Sequence, residues 1–177
     1  SGASGTSASP TYTVDRWSVY GTQTGKFSWQ QNAGSVTPPT GFSNYLGVTS
    51  SSAYSVVSTD LNLLQQPIEA FNTADLAWGT ANAKTVTLSF WVYSSLTGTF
   101  GGSIVGGLSY PFSYTITTAN TWQYVTINIP GPTSNGTWGT GNSGCLQLGW
   151  GFGYGSTFQT STLNINPRAS WPGISLP

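Results

Sequence analysis

The stretch Thr85–Tyr93, TVTLSFWVY, decides the fold class of this chain. Its even-numbered residues are Val, Leu, Phe and Val, whereas its odd-numbered residues are Thr, Ser, Trp and Tyr. A period of two over this length predicts a β-strand with one buried face and one outer face. Trp91 and Tyr93 fall on the outer face, so they are not expected to be part of the core.

Two further stretches repeat the scheme. In Gln123–Ile129 the apolar residues alternate with outward residues that include Tyr124. In Cys145–Tyr154 one side carries the bulky residues Leu146, Leu148, Trp150, Phe152 and Tyr154, and the other carries Cys145, Gln147, Gly149, Gly151 and Gly153. Glycine on successive outward positions predicts close approach of another backbone or a strong bend. We therefore take these glycines, with Trp171 near the end of the chain, as candidate contacts with an oligomer partner.

Shorter strand patterns fill most of the remaining chain, separated by Gly, Pro, Asn and Ser. They lie at Thr11–Tyr20, Lys26–Gln30, Tyr45–Thr49, Tyr54–Leu61, Gln66–Phe71 and Pro111–Thr117. We interpret Thr73–Ala83 as a loop with room for one helical turn, and Gly98–Gly107 and Pro130–Gly144 as loops. No long helical period occurs, so we predict an all-β fold, a two-sheet antiparallel β-sandwich of the jelly-roll type.

The ends of the chain differ from its middle. Residues 1–10 are small and polar without periodicity, which is typical of a flexible linker or arm. Residues 166–177 contain three prolines, which cannot donate to a sheet ladder, and are predicted to form an extended tail. The jelly-roll domain is thus assigned to residues 11–165. The single Cys145 allows no internal disulfide and is expected to be a small buried side chain.

Charge excludes several partners. Only 5% of residues are charged, against about 25% in an ordinary soluble domain. The four scattered cations cannot form the basic stripe that nucleic acid or an anionic membrane requires, so we predict neither partner. No stretch is long and apolar enough to be a spanning helix.

The chemistry of most enzymes is also missing. The chain has no His, one Cys and four acidic residues, which leaves no triad, no zinc ligand set and no evident carboxylate pair. We predict a protein that is not an enzyme and has no cofactor. A structural calcium ion would have to use Asp15, Asp60 or Asp75, and no known calcium-loop motif supports one.

Carbohydrate is the ligand that this composition favours. Aromatic residues make up 14% of the chain, and sugar rings stack their C–H faces on flat side chains. Neutral amides and hydroxyls match the hydroxyls of a glycan. The candidate carbohydrate-binding residues are Trp29, Gln30, Trp78, Trp91, Tyr93 and Tyr124.

Several of these motifs resemble a known family. Tyr12–Tyr20 (YTVDRWSVY), Gln65–Phe71 (QQPIEAF), Asp75–Ser94 and Gly101–Ile129 resemble the carbohydrate-binding-module-like jelly-roll domains of tailed-phage virion proteins. The most specific part is LAWGTANAKTVTLSFWV, within Asp75–Ser94. The chain departs from such domains at its end, where NINPRASWPGISLP replaces a closing strand of the type FYITGVQLE.

The resemblance implies a virion surface location, other virion proteins as partners and assembly into a homotrimer. It implies either a tail-fibre or appendage domain that recognises host cell-surface glycans, or a capsid decoration protein. The alternative is a carbohydrate-binding module of an extracellular glycoside hydrolase. The aromatic outer face favours host attachment over capsid decoration.

Overall fold

The computed structural model describes residues 4–5, 11–134, 136–142 and 144–160. Eleven strands and four short 3-10 turns make up the regular structure of these residues. The strands are β1 (Ser4–Gly5), β2 (Thr11–Tyr12), β3 (Ser18–Gly21), β4 (Phe27–Gln31), β5 (Leu46–Ser50), β6 (Leu61–Glu69), β7 (Val86–Val92), β8 (Gly98–Val105), β9 (Ser109–Ile116), β10 (Gln123–Ile129) and β11 (Gly144–Tyr154). The turns are Ala33–Ser35, Ala70–Asn72, Ala74–Leu76 and Ser156–Phe158. No helix in this part of the chain is long and apolar enough to cross a bilayer.

The strands form two layers. One layer is a six-stranded sheet in the order β2-β3-β6-β11-β8-β9, and every pairing in it is antiparallel. The other consists of two smaller antiparallel sheets, β1-β4-β5 and β10-β7. The predicted all-β antiparallel sandwich is confirmed, and its second layer is divided.

Both small sheets cover the same face of the six-stranded sheet. Val19, Leu64 and Trp150 are aligned on that face by the pairing of β3, β6 and β11. Val19 and Leu64 pack against Phe27 and Trp29 of β4. Trp150 packs against Phe90 of β7, with ring centroids 5.4 Å apart. The core therefore lies between one continuous sheet and two small sheets side by side.

The connections cross between the layers as in a Greek key. The chain leaves the large sheet after β6, forms β7 in the small sheet and returns for β8 and β9. It crosses again to form β10 beside β7 and returns as β11, which inserts between β6 and β8. With only two strands in the β10-β7 sheet, the sandwich is less regular than a jelly roll of two equal sheets.

The alternation predicted for the two clearest strands is confirmed. In β7 the even-numbered residues are half-buried, and Thr87, Ser89 and Trp91 are exposed. In β10 the inward residues Val125 and Ile129 are buried while Tyr124 is exposed. The two strands pair in register, with Trp91 opposite Tyr124.

Gly98–Gly107 is not a loop, contrary to the prediction. Most of it is strand β8, which pairs with β9 and β11. A Cβ atom at Gly102 would collide with the Phe112 ring and with the carbonyl oxygen of Gly149. Glycine here marks close packing of strands, which composition alone does not distinguish from a turn.

The predicted strand Tyr54–Leu61 was also wrong, because regular pairing begins only at Leu61. The preceding residues follow an irregular path that is fixed by a buried carboxylate, Asp60. In the amino-terminal arm, Ser4 and Gly5 pair with β4. The tail 166–177 with Trp171, and the Cys145 side chain, lie outside the described residues.

Candidate functional site

The outer side of the β10-β7 sheet carries two pairs of aromatic rings. Trp91 and Tyr124 lie opposite one another with ring centroids 5.2 Å apart and planes inclined by 50°. They are 39% and 54% exposed, which is high for residues of this size. Tyr93 and Trp122, one residue beyond the paired strand ends, form the second pair at 5.4 Å.

A fifth ring extends the row towards the neighbouring small sheet. Tyr45, directly before β5, contacts Trp122 edge-on at a centroid distance of 5.5 Å. We call the surface formed by Tyr45, Trp91, Tyr93, Trp122 and Tyr124 the aromatic face. It reaches from the β10-β7 sheet to the start of β5.

Hydrogen bonds fix the part of the aromatic face nearest β5. The Trp122 indole N–H donates to the carbonyl oxygen of Thr37 at 2.7 Å. The Tyr45 hydroxyl donates to the carbonyl oxygen of Ala33 and accepts from the Val36 N–H at 2.9 Å. Rings that are already held in place lose little conformational entropy when a ligand stacks on them.

Polar side chains continue the same outer surface along β7 and β10. Ser89 lies opposite Thr126, and Thr87 lies opposite Asn128. The Thr87 hydroxyl donates to Asn128 Oδ1 at 3.0 Å. That bond orients the Asn128 amide and leaves its two N–H donors for other acceptors.

The strands that carry this surface contain no charged residue. No Asp, Glu, Lys or Arg occurs between Lys26 and Asp60, or between Lys84 and Arg168. Strands β5, β7 and β10 lie entirely within these two intervals. The side chains that these strands present are therefore all neutral.

The structure separates the six predicted carbohydrate-binding residues. Trp91, Tyr93 and Tyr124 come together on the aromatic face. Trp29 is 4% exposed in the core, and Trp78 is 7% exposed, with its indole N–H bonded to the Lys84 carbonyl oxygen at 2.8 Å. Gln30 is exposed on β4, in the other small sheet.

Sequence reasoning missed Trp122 and Tyr45. The signal for Trp122 was present, because continuing the β10 alternation one step back from Tyr124 places Trp122 on the outer side. Tyr45 has the same parity as Gly47 and Thr49 in β5, opposite to Leu46 and Val48, which pack on the core. Its approach to Trp122 depends on how the two small sheets sit together, which no local pattern encodes.

The glycines of β11 face the chain's own side chains. A bulge between Gly151 and Gly153 reverses the alternation, so Tyr154 lies on the glycine side and not with Trp150 as predicted. Its ring occupies the space beside Gly151, while Leu63 approaches Gly149 and Val56 approaches Gly153. These glycines make room for packing within the domain.

Asp60 is 2% exposed and is surrounded by donors. Its oxygens accept from Thr22 Oγ1 at 2.8 Å, Gln23 Nε2 at 3.0 Å and the Val57 N–H at 2.9 Å. Burial alone would raise the pKa of this carboxyl, but these bonds and one from Tyr54 lower it to about 2. Oxygens that face N–H and O–H groups are not arranged to hold a calcium ion.

Two other acids have basic partners. Glu69 lies 3.6 Å from Arg16, and Asp75 lies 3.9 Å from Lys84, both at the surface. The described residues contain no group of three or more potential metal ligands.

Comparison of the chain with protein-family models, with curated proteins and with solved structures gives no match. The geometry of the aromatic face, together with the motifs of the sequence, therefore carries the functional argument.

Proposed function

We propose that this protein is a non-enzymatic recognition domain whose aromatic face binds a neutral glycan. The observation that carries the proposal is the exposure of Trp91 on β7 and of Tyr124 on β10, two paired strands whose core sides are already occupied by residues such as Phe90 and Val125. Leaving two large rings in water forgoes hydrophobic stabilisation, about 1.5–3 kcal/mol for a fully buried side chain of this kind. A ligand that covers the rings recovers part of it.

The shape of the surface favours an extended ligand. From Thr87 to Tyr93 the strand spans about 20 Å, at roughly 3.4 Å per residue. Rings lie at one end and neutral hydrogen-bonding groups at the other. Sugar rings can stack on the Trp91–Tyr124 pair while neighbouring hydroxyls bond to Asn128, Thr126 and Ser89.

The charge pattern favours a neutral glycan over an anionic one. A carboxylated or sulfated sugar gains most from Arg or Lys partners. The strands that present the aromatic face carry neither. Binding through stacking and neutral hydrogen bonds should depend little on salt concentration.

The positions of the acidic residues support a binding role without catalysis. Asp60 is enclosed by donors, and Glu69 and Asp75 lie beside Arg16 and Lys84. None of these three carboxyls belongs to the strands of the aromatic face. Hydrolysis of a glycoside would require two carboxyls flanking the bound sugar.

The biological setting that we propose is the surface of a tailed-phage particle, where the domain contributes to host attachment. Its support is the sequence resemblance to virion jelly-roll domains, which also implies a homotrimer. Light scattering of the purified chain tests the assembly. A trimer supports the virion setting, whereas a monomer favours the alternative, a binding module of an extracellular glycoside hydrolase.

The binding proposal is tested on an array of neutral and anionic oligosaccharides, followed by calorimetry on the best ligand. We expect neutral glycans to bind, and the double variant Trp91→Ala/Tyr124→Ala to lose at least tenfold in affinity, about 1.4 kcal/mol. Tyr12→Ala is the matched control, because Tyr12 is 69% exposed on β2, away from the aromatic face.

Equal binding by the double variant and the wild type would overturn the proposal. Binding of anionic glycans alone would contradict the neutral class. If no glycan binds and the double variant alters the mass in solution, the aromatic face is a protein interface.

A further inference from the structure

A second concave feature lies away from the aromatic face. It is a cavity of about 200 Å³ between the segment 73–80 and the segment 138–140, with Leu146 of β11 also in its lining. This volume corresponds to roughly six water molecules at liquid density, below the range of drug-sized pockets. A ligand in it would be about one ring in size.

Hydrogen bonds hold the connections around the cavity in place. The Phe71 N–H donates to the Gly141 carbonyl oxygen at 3.0 Å, and the Gly79 N–H donates to the Pro132 carbonyl oxygen at 2.7 Å. Trp78 and Trp138 meet edge to face with centroids 5.3 Å apart. The cavity is therefore preformed and needs little reordering to accept a ligand.

Thr73 and Thr80, two of the polar residues that line the cavity, have hydroxyls already engaged as donors. Thr73 Oγ1 donates to the Ala70 carbonyl oxygen at 3.0 Å, and Thr80 Oγ1 donates to the Ala77 carbonyl oxygen at 2.7 Å. Because each hydroxyl has a single proton, both can act only as acceptors towards a ligand. At these two positions the matching ligand group is an O–H or N–H donor, and the Thr140 hydroxyl is a further polar group of the lining.

The remaining lining is uncharged and mostly apolar. Ala74, Ala77, Trp78 and Leu146 supply apolar surface, and Thr140 stands on the other wall. No charged residue lines the cavity, and the nearby Asp75 is paired with Lys84. Apolar surface with hydroxyl acceptors suits a small neutral molecule that has one apolar face and several hydroxyls.

We infer that this cavity is a second binding site, which takes a single neutral sugar ring independently of the aromatic face. The test uses the Trp91→Ala/Tyr124→Ala double variant of the full chain, so that the aromatic face does not contribute. D-glucose, D-galactose, D-mannose and N-acetyl-D-glucosamine are the probes, and saturation-transfer NMR detects their binding. At least one of them should give a saturable signal.

Ala74→Leu in the double-variant background should abolish that signal by filling the cavity. Ala81→Leu is the matched control, because Ala81 is exposed in the same connection and does not line the cavity. Thr140→Val, which removes one hydroxyl at nearly constant shape, should weaken binding about fivefold. Thermal unfolding of each variant verifies that it is folded.

The inference is overturned if none of the four sugars gives a signal, or if Ala74→Leu and Ala81→Leu bind alike. Failure of the aromatic face to bind oligosaccharides would leave this result unchanged, since the assay does not use that face.

Discussion

The two small sheets of the second layer use tryptophan in opposite ways. In β4, Trp29 shares its parity with Phe27, and both are buried against the large sheet. In β7, Phe90 takes the inner position and Trp91 faces outward beside Tyr124. The position of a residue relative to the core, and not its type, therefore decides whether an aromatic ring is buried in the fold or exposed at the surface.

The two regions also differ in charge. The connection that follows β5 is held by the buried Asp60 carboxylate, which binds Thr22, Gln23, Tyr54 and Val57. The β10-β7 sheet contains no charged residue and depends on apolar packing and neutral hydrogen bonds. Acid should therefore affect the first region before the second.

The largest loss of stability is expected when the Trp29 side chain is truncated. Trp29→Ala should lower the free energy of unfolding by about 3–5 kcal/mol, since it empties a buried site of aromatic size. Urea denaturation measures the loss. Trp29→Phe is the control and should cost much less, because the Trp29 indole N–H has no hydrogen-bond partner in the described part of the chain. A loss below about 1 kcal/mol for Trp29→Ala would mean that the buried Trp29 contributes no more to stability than the exposed Trp91.

The second-largest effect is a loss of folding stability in acid, caused by protonation of Asp60. Its folded-state pKa of about 2 lies below the ordinary value of 3.8, so the stabilisation is fully present above about pH 5 and is lost progressively as pH falls through 2. The shift corresponds to about 2 kcal/mol. Urea denaturation between pH 6 and 2 should show this loss in the wild type.

Asp60→Asn should be less stable at neutral pH and should show a flatter acid profile. Some acid dependence should remain from Glu69, whose pKa is lowered by its own backbone N–H and by Arg16. If wild type and Asp60→Asn lose stability in parallel over this range, Asp60 is not the group that titrates.

A smaller effect tests the link between the two small sheets. Trp122→Phe removes the hydrogen bond to Thr37 while keeping an aromatic ring, and should cost about 1 kcal/mol. The exchange rate of backbone amide hydrogens should rise both in residues 33–45 and at the start of β10. Faster exchange in only one of these segments would show that Trp122 does not join them.

The smallest effect on stability is expected on the aromatic face itself. Trp91→Ala should change the free energy of unfolding by no more than about 0.5–1 kcal/mol, because the Trp91 ring lies outside the core and its ring contact is with Tyr124, which is also exposed. Thermal unfolding provides the measurement, with Tyr12→Ala as the comparison. A loss as large as that of Trp29→Ala would indicate a structural role for Trp91.

Much of the fold could be predicted because its signal is local. The alternation in Thr85–Tyr93 and Gln123–Ile129 identified both strands of the β10-β7 sheet and placed Trp91 and Tyr124 outside. The same reasoning failed for Gly98–Gly107, because glycine serves close packing in a strand as well as flexibility in a loop. It failed for Tyr154 because a bulge changes side-chain parity without a clear mark in the sequence.

The site was predictable only in part for a related reason. Trp29 and Trp78 belong to the same residue type as Trp91, and their burial depends on which surface the strand or loop meets. Tyr45 joins the aromatic face across a long sequence separation from Trp122. A local sequence pattern cannot show that two residues so far apart in the chain are in contact.

The all-β class, the scarcity of charge and the outward positions of Trp91 and Tyr124 could be read from the sequence, since they follow from composition and from a period of two. The packing of the strands was needed to show that the second layer is divided, that Trp122 and Tyr45 complete the aromatic face, and that Asp60 is enclosed by neutral donors. Side-chain alternation is a property of neighbouring residues, whereas these contacts arise when distant strands are packed into one core.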